Sequence, residues 1–176
     1  MGIVGLALVA LVLVYNRLIR LRNRIDGAWA QIEVQLRRRY DLIPNLVETT
    51  KGYAEHERET LEAVTSARTQ AIAAQGVAGQ AQAENAITTA LRSLFAVSEA
   101  YPQLRANENF LALQEELSAT EGRIAYARQF YNDAVQRYNT LIQSFPAVIV
   151  ANAMGFEERE YFEADDTSRG PVQVDF

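Results

Sequence analysis

The sequence predicts an all-α protein in which an N-terminal transmembrane helix continues into an elongated antiparallel (up-down) four-helix bundle with a long C-terminal helix. Three observations predict it. First, residues 107–145 place small or apolar side chains at Phe110, Leu113, Leu117, Thr120, Ile124, Ala127, Tyr131, Ala134, Tyr138, Leu141 and Phe145, in unbroken steps of three and four. That spacing keeps one seam on one side of a helix, with the 3.5-residue period of knobs-into-holes packing. Second, residues 2–15 contain no charged side chain. Third, helical spacing of apolar residues recurs in the stretches between, punctuated by glycine and proline. The long seam must be covered, by the chain's own earlier helices or by a second copy. A chain of 176 residues, 49% of them hydrophobic, supplies enough other helices to cover it from within.

The apolar start, extended by Leu18, Ile19 and Leu21, is short for a membrane span. About 20 apolar residues are usual and about 17 suffice, and Arg17 and Arg20 are long enough to snorkel to headgroups. A secretory signal carries its positive charge before the apolar run. Here Arg17, Arg20, Arg22 and Arg24 all follow it. The expectation is an uncleaved anchor, single-pass in the cell membrane, with the N-terminus outside and the body cytoplasmic. Leu6 stands where N-myristoylation needs Ser or Thr, so Gly2 is no acceptor.

The helical pattern runs on through Leu18, Leu21, Ile25, Trp29, Ile32, Leu36 and Tyr40. Pro44 disfavours a helical Ile43 and lacks an amide donor, so a kink or break is expected within 41–44, with Asp41 capping the next helix. Arg37, Arg38 and Arg39 point in three directions around a helix, which reads as a solvated face with one or two salt bridges inside the bundle. A second, alanine-rich stripe follows over 45–74 at Leu46, Tyr53, Leu61, Val64, Ala67, Ala71 and Ala74, loosened at Gly52. Gly76 and Gly79 mark a turn over 75–80, and Ile87, Leu91, Leu94, Val97 and Tyr101 place a third helix over 81–100, closed by Pro102. Asn107 is a suitable N-cap for the long helix, with Glu108 favoured by the helix dipole.

Alternating directions bring the end of the long helix back toward the membrane. There Pro146 ends it, and residues 147–156 are apolar but too short to span. They pack beside the anchor, rest at the bilayer surface or cover the bundle end. The expected organisation is an anchor over 1–21, a bundle over 16–145, a short apolar segment near the membrane over 146–156 and a flexible acidic tail over 157–176. The net charge of −5 belongs to that tail, with its seven acids and two arginines, while residues 16–39 carry seven arginines against Asp26 and Glu33. This split argues for local contacts and against nucleic acid as a partner.

Chemistry is sparse. The absence of cysteine excludes disulfides, thiolate catalysis and Cys-ligated zinc. His56 is the one histidine, flanked by Glu55, Glu57 and Glu59. A di-iron bundle needs Glu-x-x-His pairs, and Tyr53 occupies the required position. There is no glycine-rich phosphate loop and no nucleophile elbow. No catalytic, cofactor or metal residue is therefore assigned, and the chain is expected not to be an enzyme. Thr120-Glu121, Tyr131-Asn132 and Tyr138-Asn139 set polar residues along the long seam. Buried, such groups need partners or cost about 1 to 3 kcal/mol each, and polar layers of this kind fix register in bundles.

These residues, taken together, resemble the LemA family. The matching segments include Ala28-Trp29, Arg38-Arg39-Tyr40-Asp41-Leu42-Ile43-Pro44-Asn45-Leu46-Val47, Lys51-Gly52-Tyr53-Ala54, Tyr101-Pro102, Asn109-Phe110, Thr120-Glu121, Tyr131-Asn132, Tyr138-Asn139, Phe145-Pro146 and Gly155-Phe156, spread over residues 15–162. The resemblance implies a single-pass membrane protein with an antiparallel helical bundle, associated with membrane organelles or envelope-stress systems, and no established reaction. The acidic stretch 165–176 departs from it.

The expected function is thus a membrane-anchored, non-enzymatic scaffold or adaptor. Its expected partners are the lipid bilayer, an unidentified membrane protein and a second copy of the chain. The alternative is a metal- or ligand-binding bundle, a hydrolase using His56 with Glu55, Glu57 or Glu59, or a sensor that opens at Thr120, Glu121, Tyr131 and Tyr138.

Overall fold

The computed structural model describes the backbone of residues 2–163 and the side chains of that range except those of 2–4 and 7. The helices are α1 (Gly2–Lys51), α2 (Arg58–Ala73), α3 (Gly76–Ala100), α4 (Pro102–Arg105), α5 (Glu108–Gln143) and α6 (Ala147–Met154). No strand occurs among the described residues, so the protein is all-α. Among those residues, no helix is long and apolar enough to cross a membrane. Met1 and the side chains of 2–4 and 7, within the expected anchor, lie outside the described residues, as does the tail from 164 onward.

The expected break at 41–44 does not occur. α1 runs through Pro44 to Lys51. Proline at position 44 leaves the carbonyl of residue 40 without its helical donor, and the Arg68 side chain supplies one from α2, its Nε donating to the Tyr40 carbonyl at 2.7 Å. Asp41 is exposed within the helix and caps nothing. The real turn is residues 52–57, where the amides of Tyr53 and Ala54 both donate to the Thr50 carbonyl. Gly52 therefore ends a helix where the sequence placed it inside one. The turn expected over 75–80 shrinks to 74–75, because Gly76 takes a left-handed φ of 72° that reverses the chain in one step.

The chain divides into two compact units, Met1–Arg37 with Thr120–Tyr161, and Arg38–Ala119 with Phe162–Phe176. In the second unit, four helical segments run alternately up and down. α2 and α3 form an antiparallel hairpin in which Gln80 of α3 donates to the Ala71 carbonyl of α2 at 3.2 Å. Arg39 and Tyr40 of α1 meet Glu84 of α3. Tyr53, just beyond α1, accepts from the side chain of Asn107 at 3.0 Å, at the start of α5. The core of this unit is Ile43, Leu46, Leu61, Val64, Ile87, Leu91, Leu94, Leu104 and Phe110.

In the first unit, α1 and α5 lie antiparallel. Trp29 stacks edge-on against Tyr131 at 5.5 Å, and Arg24 lies 5.0 Å from the Phe130 ring centre. Leu18, Ile25, Ala28, Ile32 and Leu36 are buried with Ile124, Ala127, Ala134, Tyr138 and Ile142. Asn107 caps α5 as expected, its Oδ1 accepting from the Phe110 amide at 2.9 Å. The seam departs from its pattern at the end. α5 stops at Gln143, and Phe145, at a cis peptide bond to Pro146, is 81% exposed. Gly155, with φ 69°, ends α6, and the Phe156 amide returns to the Ala151 carbonyl at 2.9 Å in a Schellman-type closure.

Candidate functional site

Two polar arrangements and one apolar surface stand out. The first arrangement lies in the second unit. The side chains of Arg39 and Glu84 are 1% and 4% exposed and form an ion pair at 3.0 Å. Arg39 Nη2 also donates to Thr88 Oγ1 at 2.9 Å. The second Glu84 oxygen accepts from the Tyr40 hydroxyl, and from Gln80 Nε2 at 2.9 Å. Gln80 Nε2 also donates to the Tyr40 hydroxyl oxygen at 2.8 Å. Burial, with Glu84 beside it, raises the Tyr40 phenol well above the ordinary tyrosine range, so it remains the donor.

This network is closed. Both carboxylate oxygens of Glu84 are taken, and its charge is matched by one guanidinium. These partners all come from α1 or α3 themselves. What the layer does is fix which faces of α1 and α3 oppose, since sliding either helix would strand a buried charge. The sequence reading of the arginine run divides accordingly. Arg39 makes the buried pair, whereas Arg38 makes an exposed one with Glu116, their side chains 50% and 37% exposed. Glu84, Gln80, Thr88 and Arg68 were missed. A signal for Glu84 existed, because it sits at the helical step between Ala81 and Ile87, on the apolar stripe, where a carboxylate requires a partner.

The second arrangement lies in the first unit. Asn139 Oδ1 accepts from the Arg159 amide and Asn139 Nδ2 donates to the Arg159 carbonyl, both at 2.9 Å. The Tyr131 hydroxyl donates to the Glu160 carbonyl at 2.9 Å, and Arg159 pairs with Asp26. Burial raises the Tyr131 and Tyr138 phenols, with Arg159 pulling in the opposite direction. The polar seam positions Tyr131 and Asn139 thus hold the main chain at Arg159 and Glu160 as a short strap against α5. Thr120 is fully buried on the same seam.

His56 lies exposed in the turn before α2. Glu57 beside it accepts from the Tyr101 hydroxyl at 3.1 Å, and that bond raises the Tyr101 phenol. The metal-binding alternative built on His56 with Glu55, Glu57 and Glu59 finds no support. Among the described residues, no group of three or more His, Asp or Glu side chains has a geometry that holds a metal ion. Consecutive residues of an open turn point apart. An open groove of about 820 Å³ between α2 and α3 is lined by small and amide side chains such as Ala63, Ser66, Gln70, Ala86 and Thr89, with Glu59 its one titratable residue.

The apolar surface belongs to α1. Leu6, Leu8, Val9, Leu11, Val12 and Leu13 are exposed around most of its circumference, and Arg17, Arg20, Arg22 and Arg24, all exposed, follow.

The chain is similar to magnetosome protein MamQ 2 of Paramagnetospirillum magneticum, with 26% identity over 90% of this chain and 68% of the relative. It is similar to magnetosome protein MamQ of Magnetospirillum gryphiswaldense, with 25% identity over the same shares. Protein LemA of Metamycoplasma hominis is 26% identical over 91% of this chain and 73% of its own length. A family model described as the LemA family matches residues 28–176, a span that contains the buried Arg39–Glu84 layer and the Asn139–Arg159 strap alike, and the chain belongs to the LemA family.

Proposed function

We propose that this protein is a membrane-associated, non-enzymatic scaffold, held at a bilayer by residues 1–21 and acting through contacts of its helical body with a membrane protein partner or a second copy. One observation carries the reading. The described side chains of residues 5–15 form a charge-free helical surface that faces outward, and exposed large apolar side chains in such density belong in lipid or in an interface. The arginines that follow support a cytoplasmic body by the positive-inside rule. The relatives named as magnetosome proteins support the same placement. The non-enzymatic part is supported by the closed Arg39–Glu84 layer and by the unreactive lining of the α2–α3 groove.

The test is fractionation of the full chain after an alkaline carbonate wash. The chain is expected in the membrane pellet, and Leu8→Arg with Leu11→Arg is expected to shift it to the supernatant, since each buried arginine costs about 2.5 to 3.5 kcal/mol at the centre of a span. Crosslinking in intact membranes, followed by mild-detergent extraction, is expected to recover a higher-mass species. Release of the unmutated chain by carbonate sinks the anchor, and a strictly monomeric chain with no crosslinked partner sinks the scaffold.

A further inference from the structure

α6 inverts the usual pattern of a packed helix. It buries only Ala147 and Ala151, and leaves Ile149 and Met154 61% and 55% exposed. No charged residue interrupts it. Phe145, immediately before it, is the most exposed large apolar side chain among the described residues. A helix that turned these groups outward for solvent alone would gain nothing from their size.

Its height along α1 is fixed within the first unit. The Phe156 ring meets the Tyr15 ring edge-on at 6.0 Å, and the Arg22 guanidinium lies 5.9 Å from the same ring centre. The antiparallel contact of Trp29 with Tyr131 carries the end of α5 back to the same level. α6 therefore lies beside the point where α1 changes from charge-free to arginine-rich. From Arg17 to Arg22 the helix rises about 7.5 Å, close to the thickness of one headgroup layer, roughly 5 to 8 Å. Beyond Phe156 the chain runs toward Asp26, where Arg159 pairs, and so carries Glu157 and Glu158 away from the apolar end.

We propose that α6 is a second membrane contact, with Phe145, Ile149 and Met154 entering the interface of an anionic bilayer while Arg17, Arg20 and Arg22 hold its phosphate headgroups. The occupant is the bilayer surface because the outward face is apolar, because the neighbouring charges are cationic, and because the patch continues the exposed apolar surface of α1. This rests on the anchor reading above. A short hydrophobic helix at the interface, flanked by arginines, binds by apolar burial plus attraction to anionic lipid. Each basic residue near such a surface strengthens attachment by roughly fivefold.

The chain has no cysteine, so single-cysteine variants of the full chain report one place each. Leu11→Cys, Ile149→Cys and Tyr126→Cys are labelled with an environment-sensitive fluorophore and reconstituted in vesicles of phosphatidylcholine, with or without phosphatidylglycerol, carrying lipid-attached quenchers at a shallow or a deep acyl-chain position, the deep one reporting on position 11 and the shallow one on position 149. The expected result is quenching at positions 11 and 149 but not at 126. At 149 it should deepen with phosphatidylglycerol and weaken in Arg17→Gln with Arg20→Gln. Quenching at 11 without quenching at 149 overturns this inference and leaves the anchor standing. Quenching at neither overturns both. A blue shift at 149 that grows with protein density and resists the lipid quencher assigns the face to a second copy of the chain and overturns the proposal. Quenching at 149 that ignores phosphatidylglycerol and the arginine variant overturns the headgroup part.

Discussion

The two ends of α1 break the ordinary rule of burial in opposite senses. Near its start, Leu6, Leu8, Val9, Leu11, Val12 and Leu13 hold apolar side chains outward, while near its other end Arg39 is fully enclosed. Both are costly in water, and each is tolerated for a different reason. A greasy outward face needs an apolar surrounding, which nothing in the described chain supplies. An enclosed guanidinium needs an opposite charge and hydrogen-bond acceptors, which Glu84 and Thr88 supply to its two terminal nitrogens. One end of the helix is thus completed from outside and the other from within, and the difference separates what this helix does for the fold from what it does for attachment.

The sharpest way to break that contrast is Arg39→Ala. Removing one partner leaves Glu84 buried without its counter-charge, and a loss of about 3 to 5 kcal/mol in unfolding free energy is expected by denaturant titration in detergent. Arg39→Met with Glu84→Leu, which removes both charges, should recover most of it. Leu11→Ala in the same assay should change stability by less than about 0.5 kcal/mol, because its environment lies outside the fold. A loss at Leu11 comparable to that at Arg39 would erase the distinction.

A smaller effect is expected at Arg68. Its guanidinium satisfies the carbonyl that Pro44 leaves open, so Arg68→Ala should cost about 1 to 3 kcal/mol. On a Pro44→Ala background the same change should cost less, since the helix then satisfies Tyr40 by itself. Equal costs on both backgrounds would show that Arg68 acts elsewhere. Smallest of all is Arg38→Ala, which removes the exposed pair with Glu116 and should cost at most about 1 kcal/mol, falling further at high salt. Together, Arg38 and Arg39 test whether burial, not charge, decides the worth of an ion pair in this helix.

The helical class and the long seam were legible because period is a local property. Phe110, Leu117, Ile124, Tyr131 and Tyr138 are all buried at the expected steps. The cap at Asn107 was legible for the same reason. The path of α1 was not. Pro44 argues for a break when only its neighbours are considered, and the group that repairs it, Arg68, lies on another helix, where no local pattern reveals it. Glu84 was hidden similarly, since reading its stripe as apolar passed over the one residue that did not fit. Arg159 and Glu160 fall in a stretch expected from its charge to be an acidic tail, yet Asn139 and Tyr131 grip their main-chain groups, which charge composition does not report. Gly52 ends α1 where a loosened helix was expected, because a glycine weakens a helix without saying whether the helix resumes beyond it.

The bond from Arg68 to the Tyr40 carbonyl also carries a consequence for descent. A distant arginine makes good what a proline in mid-helix leaves open, so the arginine is not free to drift while the proline stays. A lineage that regained an amide at position 44 would release Arg68 to wander, whereas one that lost the arginine first would pass through a weakened intermediate. Inheritance should therefore favour one order of replacement, proline before arginine, in any branch where both have gone.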